Sequence, residues 1–272
     1  MGGMRRAAPH RRQAALCLAP LYLAMIAATA GITAAAAQAM TAEEPCRQAL
    51  ALGLDVSGSV DAEEWQLQIN GLARALGSPD VARALFAMEG APVWLAVYEW
   101  AGDSAPRDLV AWTALRSPQD VRHVQAALRA QTRIPHAPGT AMGAAMQYGG
   151  QLLAQRPACW RHTLDISADG RSNMGPRPER VRLQPELAEV TINGLIVSTG
   201  SHTAPPKAVD KELAQLSTYF QGAVIQGFGA FVEPARSYAD YERAMTQKLL
   251  KELQTVAIGW SEINGAAQGL QR

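Results

Sequence analysis

Several familiar functional signatures are missing from this 272-residue sequence, and each absence removes a class of function. The five histidines and three cysteines show no spacing that would hold a zinc ion. No Gly-x-Ser-x-Gly segment is present, which excludes the nucleophile elbow of the α/β-hydrolases. No Gly-Lys-Ser/Thr phosphate loop is present either. Internal repeats and low-complexity linkers are also absent, so a single ordinary globular domain is expected.

The first 39 residues differ from the rest of the chain. Four arginines and no acid lie among the first twelve residues, an alanine-rich apolar run covers 14–36, and Ala37-Gln38-Ala39 offers a small-x-small cleavage site. This pattern predicts a secretory signal peptide over 1–39, with the mature protein exported, periplasmic or secreted, and without a stable membrane span after cleavage. Retention of the segment as a membrane anchor is the alternative.

Without that segment the charge of the chain is nearly balanced. The segment holds four arginines and no acid, so the remainder keeps 21 of the 25 basic residues against 24 acidic ones, a net charge of about −3. No basic run interrupts this balance. The mature chain therefore lacks the electrostatic footprint of a nucleic-acid partner.

Strand-like and helix-like patterns alternate from residue 46 to residue 256. This alternation predicts one α/β domain over 46–256, a doubly wound, mostly parallel central sheet with helices on both faces, followed by a tail over 257–272. A strand over 109–115 is expected at an edge or paired antiparallel. A helix is expected near 179–190, disturbed at Pro185, and the last strand is expected over 223–232.

The stretch 50–60 carries the clearest chemical signal. An apolar strand runs into Asp55, Ser57 and Ser59, and Asp61 with Glu64 forms a capping box that starts a helix. In open α/β sheets, ligands bind at such a loop between the carboxyl end of a strand and a helix. The three side chains offer only oxygen atoms, which suits a hard divalent cation. A phosphate is the rival ligand, and simple capping of a turn is the structural alternative.

Two later stretches strengthen the metal hypothesis. The loop Pro138-Gly139 delivers Thr140 to the start of a helix rich in small residues, and a second apolar strand ends at Asp169-Gly170. The order Asp-x-Ser-x-Ser, Thr, Asp-Gly resembles the metal-ion-dependent adhesion site (MIDAS) of the von Willebrand factor type A (vWA) superfamily, over residues 46 to about 253. Within it, the segments 55–60, Ile192-Asn193-Gly194-Leu195 and 248–252 are similar to a group of secreted bacterial vWA-like proteins of unknown function.

The resemblance implies a role for each site residue. Ser57 and Ser59 would bind the ion directly, Asp55 directly or through a water, and Asp169 through a water. Thr140 would join the ion in one conformational state. The ion implied is Mg²⁺, with Mn²⁺ or Ca²⁺ as alternatives, and one open position would take a carboxylate from an unknown protein partner.

The two cysteines of the mature chain lie at matching positions. Cys46 is nine residues before Asp55, and Cys159 is ten residues before Asp169. If both aspartates end neighbouring parallel strands, both cysteines begin them, within the separation that a disulfide spans. A Cys46–Cys159 bridge is therefore predicted, with two buried free thiols as the alternative.

Two further side chains have structural interpretations. Asp165 lies inside an apolar strand, where a carboxylate is costly unless it is paired, so a buried partner is expected. His136 lies in the loop before Thr140 and is expected to be solvated.

The favoured function is a non-enzymatic, metal-dependent adhesion-type binding module. The rival is a metal-assisted hydrolase or phosphoryl-transfer enzyme that uses the same ion. Enzymes of that kind often carry Asp-x-Asp after the first strand, and here Ser57 occupies the second acidic position. A degenerate site on a scaffold is the third possibility.

Overall fold

The computed structural model describes residues 45–136, 138–199 and 204–253. The predicted signal peptide over 1–39 and the predicted C-terminal tail over 257–272 lie outside these residues, so both stay predictions. Within the described part of the chain, no helix is both long enough and apolar enough to span a bilayer.

A six-stranded sheet forms the centre of the described domain. The strands are β1 (Gln48–Asp55), β2 (Val93–Trp100), β3 (Arg107–Leu115), β4 (His162–Ala168), β5 (Val190–Val197) and β6 (Val232–Ala235). Their spatial order is β3-β2-β1-β4-β5-β6, and every neighbouring pair is parallel except β2 and β3. The predicted doubly wound, mostly parallel sheet and its antiparallel edge strand are confirmed.

Seven α-helices accompany the strands among the described residues, six between strands and one after β6. They are α1 (Ala62–Leu76), α2 (Pro79–Leu85), α3 (Pro118–Arg129), α4 (Met142–Leu153), α5 (Pro178–Val181), α6 (Pro206–Ala223) and α7 (241–253). Helix α1 begins with the predicted capping box, in which Asp61 accepts from the Glu64 backbone and Glu64 accepts from the Asp61 backbone. Because that box fixes where α1 starts, it also fixes the length of the loop after β1.

The helices cover both faces of the sheet, as expected. β1 is buried along its whole length, and its side chains point alternately to the two faces of the sheet. Leu50, Leu52 and Leu54 belong to the hydrophobic core on one face, and Ala49 and Ala51 to the core on the other. The first core is completed by α1, α2, α3 and α7, and the second by α4, α5 and α6.

Small residues bring α4 close to the sheet. A Cβ atom added to Gly149 would lie 2.3 Å from a methyl carbon of Leu164 in β4. No side chain larger than hydrogen fits there, so the small-residue pattern of this helix reflects its packing.

Two predicted elements differ in the structure. The helix expected near 179–190 is only the four-residue α5 followed by a 3₁₀ turn at Pro185–Leu187, because Pro185 cannot continue a helix. The strand expected over 223–232 is also wrong: α6 runs to Ala223, Gly227 and Gly229 adopt positive φ angles in a turn, and β6 begins at Val232.

The disulfide is present. Cys46 and Cys159 are joined, with their Cα atoms 4.4 Å apart, and they form a parallel bridge just before β1 and β4. The bond therefore links the amino ends of the two central strands, at the edge of the sheet opposite Asp55 and Asp169.

Candidate metal centre

The strand order reverses between β1 and β4, and this places the candidate site. From β1 the chain first adds β2 and β3 on one side, and then returns to add β4, β5 and β6 on the other. Asp55 ends β1 and Asp169 directly follows β4, its neighbour. Ligands of open α/β sheets bind at such a switch point, where the two connecting loops diverge.

The side chain of Asp55 is fully buried, and only one of its two carboxylate oxygens has a hydrogen bond. Its Oδ1 accepts a 2.8 Å hydrogen bond from the backbone N–H of Ser57, and its main-chain oxygen accepts from Gln68 of α1. Its Oδ2 is buried and has no hydrogen-bond partner in the described part of the chain. A buried carboxylate oxygen without a donor is costly unless a cation or a water fills the space beside it.

The two serines extend this group to the second motif. The hydroxyls of Ser57 and Ser59 lie 3.2 Å apart, and Ser59 donates a 2.9 Å hydrogen bond to Oδ1 of Asp169. Oδ2 of Asp169, like Oδ2 of Asp55, is buried without a partner among the described residues. The structure thus brings Asp55, Ser57, Ser59 and Asp169 into one connected polar group.

Thr140 lies on a neighbouring loop, and its backbone ties that loop to the one after Asp169. Gly139 has φ +110°, a conformation that turns the chain sharply before α4. The buried Thr140 is then held by its backbone, which accepts from Asn173 N–H and Ser172 Oγ and donates to Asn173 Oδ1. The loop after Asp169 therefore fixes the loop that carries Thr140.

The electrostatics of the site favour a bound cation. Burial, reinforced by the charge of Asp169, raises the pKa of Asp55 to about 8, and burial raises the pKa of Asp169 as well. Two desolvated carboxylates side by side are unfavourable without a compensating positive charge. Two unpartnered carboxylate oxygens and two hydroxyls thus suit a hard divalent ion. In the part of the chain described, no three His, Cys, Asp or Glu side chains cluster as a metal site, so an ion here must use hydroxyl oxygens.

One residue near the site was misjudged from the sequence. The side chain of His136 is 5% exposed rather than solvated, and its Nε2 lies 2.9 Å from Oε1 of Glu99. Glu99, at the end of β2, is fully buried and also accepts from Arg107 Nε and Trp65 Nε1. Through His136, this cluster holds the loop that leads to Thr140 against the end of β2. A lone glutamate in the apolar β2 segment was the signal that could have revealed it.

Comparison with known families places this chain. A family model described as "Protein of unknown function (DUF1194)" matches residues 45–257. The chain belongs to the DUF1194 family. No curated protein sequence matches it significantly.

Solved structures show which fold the DUF1194 domain shares. Proximal thread matrix protein 1 from the mussel byssus, in a form with a zinc-occupied MIDAS motif, superposes with a TM-score of 0.53 at 14% identity, covering 78% of this chain and 49% of the mussel protein. This chain thus spans about half the length of that protein. A von Willebrand factor type A protein from Catenulispora acidiphila has 16% identity and a TM-score of 0.45, covering 76% of this chain and 43% of that one. Manganese-loaded TRAP protein from Plasmodium vivax has 17% identity and a TM-score of 0.46, covering 76% of each chain. The predicted vWA resemblance is confirmed at the level of the fold.

Proposed function

We propose that the DUF1194 domain is an exported, non-enzymatic binding module that holds a divalent cation at Asp55, Ser57, Ser59, Thr140 and Asp169. The ion would grip an acidic group of a protein partner. The observation that carries this proposal is the buried group in which Ser59 bonds to Asp169 while one oxygen of Asp55 and one of Asp169 have no partner among the described residues.

The ligand chemistry supports the acidic partner. The five side chains carry only two negative charges, so a divalent ion bound by them keeps much of its attraction for an additional anion. Mg²⁺ is proposed because it is held by few carboxylates and retains waters, one of which an incoming carboxylate can replace. The zinc-occupied MIDAS motif of the mussel protein supports a divalent cation in general.

The residue two positions after Asp55 favours binding over catalysis. Ser57 stands where Asp-x-Asp enzymes carry their second carboxylate, so its position offers no group that can act as a general acid or base near pH 7. A panel of phosphate-ester and carboxyl-ester substrates tests this directly. Turnover that disappears in Asp55→Ala would establish the enzymatic alternative instead.

Two features support export. The basic, apolar and small-x-small order of residues 1–39 is that of a signal peptide. The Cys46–Cys159 disulfide suits an oxidising compartment outside the cytosol.

A pull-down from the exported protein fraction of the source cell tests the proposal. The purified domain is used with Mg²⁺, with chelator, and as Asp55→Ala. We expect a partner that is retained only by the intact domain with Mg²⁺. Partners that bind equally with chelator and with Asp55→Ala would overturn metal-dependent adhesion and assign binding to another surface.

A further inference from the structure

A tyrosine that follows β6 reaches the candidate metal centre from a third strand end. Tyr238 lies in the 3₁₀ turn Tyr238–Asp240, and its side chain is almost entirely buried, with 3% of the residue exposed. Its ring stacks on that of Tyr241, with centroids 6.5 Å apart and an interplanar angle of 10°. The ring is thus packed against Tyr241, the first residue of α7.

The hydroxyl of Tyr238 lies beside the Asp169 carboxylate. Burial raises the pKa of Asp169, and the hydroxyls of Ser59 and Tyr238 both act in the opposite direction by stabilising its charge. The carboxylates that act most strongly on the phenol itself are Asp169 and then Asp55. Nevertheless, Tyr238 Oη does not reach hydrogen-bonding geometry with any described residue.

Three unsatisfied atoms therefore belong to residues that influence one another at the candidate metal centre. Oδ2 of Asp55, Oδ2 of Asp169 and Oη of Tyr238 are all buried without a hydrogen-bond partner in the described regions, and they come from the ends of β1, β4 and β6. A buried hydroxyl without a hydrogen-bond partner is unfavourable. A phenol O–H is a donor and a carboxylate is an acceptor, so a small rotation of Asp169 would satisfy both groups.

We propose that Tyr238 is a further residue of the metal site, a positioning residue whose hydroxyl donates a hydrogen bond to Asp169 and holds that carboxylate in the orientation the cation requires. This inference rests on the proposed function. Outer groups that orient metal-bound carboxylates commonly change metal affinity by about 10–100-fold when they are removed.

The neighbouring tyrosine provides a matched control. Tyr241 is also fully buried, and its hydroxyl lies 2.9 Å from Ser167 Oγ rather than at the carboxylates. Tyr238→Phe and Tyr241→Phe each remove one buried hydroxyl from the same stacked pair. Only the first removes a hydroxyl that faces Asp169.

Isothermal titration with Mg²⁺ and with Mn²⁺ tests the inference on the wild-type chain and both variants, with the fold of each variant checked by thermal unfolding without metal. We expect the Kd of Tyr238→Phe to rise about tenfold and that of Tyr241→Phe to stay within about twofold. Equal affinities for wild type and Tyr238→Phe would overturn the role of Tyr238 and leave the metal site standing. A folded wild-type chain that binds neither ion would overturn the proposed function, and this inference with it.

A double-mutant cycle distinguishes positioning from general packing. If Tyr238 acts through Asp169, Tyr238→Phe should weaken binding in the wild-type background and have no further effect in the Asp169→Asn background. Additive effects of the two substitutions would contradict the proposed route.

Discussion

Ser59 donates a 2.9 Å hydrogen bond to Asp169 across 110 residues of sequence. This bond joins the loop after β1 to the loop after β4, the two central strands of the sheet. Because Ser59 gives its only proton to Asp169, Ser57 must be the donor in the 3.2 Å contact between the two serines, which leaves one lone pair of the Ser59 oxygen available for a cation.

Removing that hydroxyl should impair metal binding more than folding. Ser59→Ala eliminates one ligand and the donor to Asp169, so we expect the Kd for Mg²⁺ to rise by about 10–100-fold. Its free energy of unfolding without metal should change by no more than about 1.5 kcal/mol, the usual worth of one hydrogen bond. Titration calorimetry and urea unfolding measure the two effects. Ser217→Ala, in the distant helix α6, is the control, and wild-type affinity in Ser59→Ala would contradict the assigned role.

The disulfide should stabilise the domain strongly. Cys46 and Cys159 are separated by 113 residues, and closing a loop of that length is worth about 4–5 kcal/mol in the chain-entropy account. Urea unfolding of Cys46→Ala/Cys159→Ala should therefore show a loss of a few kcal/mol relative to the oxidised wild type. Reductant should destabilise only the wild type. Two reactive thiols on the denatured, unreduced protein would show that the bond does not form.

A glycine on α4 should be required for the contact with the loop beyond Asp169. A Cβ atom added to Gly143 would lie 2.0 Å from the carbonyl oxygen of Pro176, and a backbone atom cannot give way cheaply. We expect Gly143→Ala to destabilise the domain by about 1–3 kcal/mol, the usual cost of overpacking. Gly222→Ala is the control, because nothing lies within 4 Å of its added Cβ. That variant should instead be stabilised by about 0.5–1 kcal/mol, since alanine favours the helix.

Asp165 has the buried partner that was expected, and the structure shows that it is Lys248 of α7. Glu252 is a third charged member of this cluster. Lys248 forms an ion pair with Asp165 and a 2.6 Å hydrogen bond to Glu252, which also accepts from Asn193. All four residues are buried. Desolvation, followed by the charge of Glu252, raises the pKa of Asp165 well above its usual range, against the opposing effect of Lys248. The raised pKa favours a proton on Asp165, and with that proton the cluster would be neutral.

Asp165→Asn and Lys248→Met should therefore behave differently. Asparagine resembles a protonated aspartic acid, so Asp165→Asn should be at least as stable as wild type at pH 7. Lys248→Met leaves two buried acids without a cation and should lose about 3–5 kcal/mol.

The pH dependence of the stability difference between wild type and Asp165→Asn supplies a second test. Above about pH 4 the unfolded wild-type chain releases the Asp165 proton while the folded protein keeps it, so the stability of wild type relative to Asp165→Asn should fall as pH rises. Urea unfolding between pH 4.5 and 7.5 measures this slope. A large loss in Asp165→Asn at pH 7 would mean that Asp165 is ionised in the folded protein.

The sequence predicted the elements that have strong local or periodic signals. The capping box at Asp61 and the apolar strand ending at Asp55 depend on neighbouring residues, and both are present. The last strand was predicted too early, because the apolar run after Ala223 has the composition of a strand. In the structure this run contains a turn, in which Gly227 and Gly229 adopt positive φ angles.

The site was predicted only in its motif residues. Asp55, Ser57, Ser59 and Asp169 are recognisable because they stand at or just after the end of a strand, and the sheet order then brings them together. Tyr238 carries no such signal, since an aromatic residue near a helix start usually indicates core packing. The same holds for Glu99, whose partners Trp65, Arg107 and His136 come from three other segments and meet it only in the folded chain.

Titration of the folded protein with Mn²⁺, followed by the electron paramagnetic resonance signal of the free ion, tests the central claim most directly. We expect one Mn²⁺ to bind per chain, Mg²⁺ to compete for it, and Asp55→Ala to abolish binding while keeping the fold. A folded wild-type chain that leaves the free Mn²⁺ signal unchanged would contradict the proposed metal site.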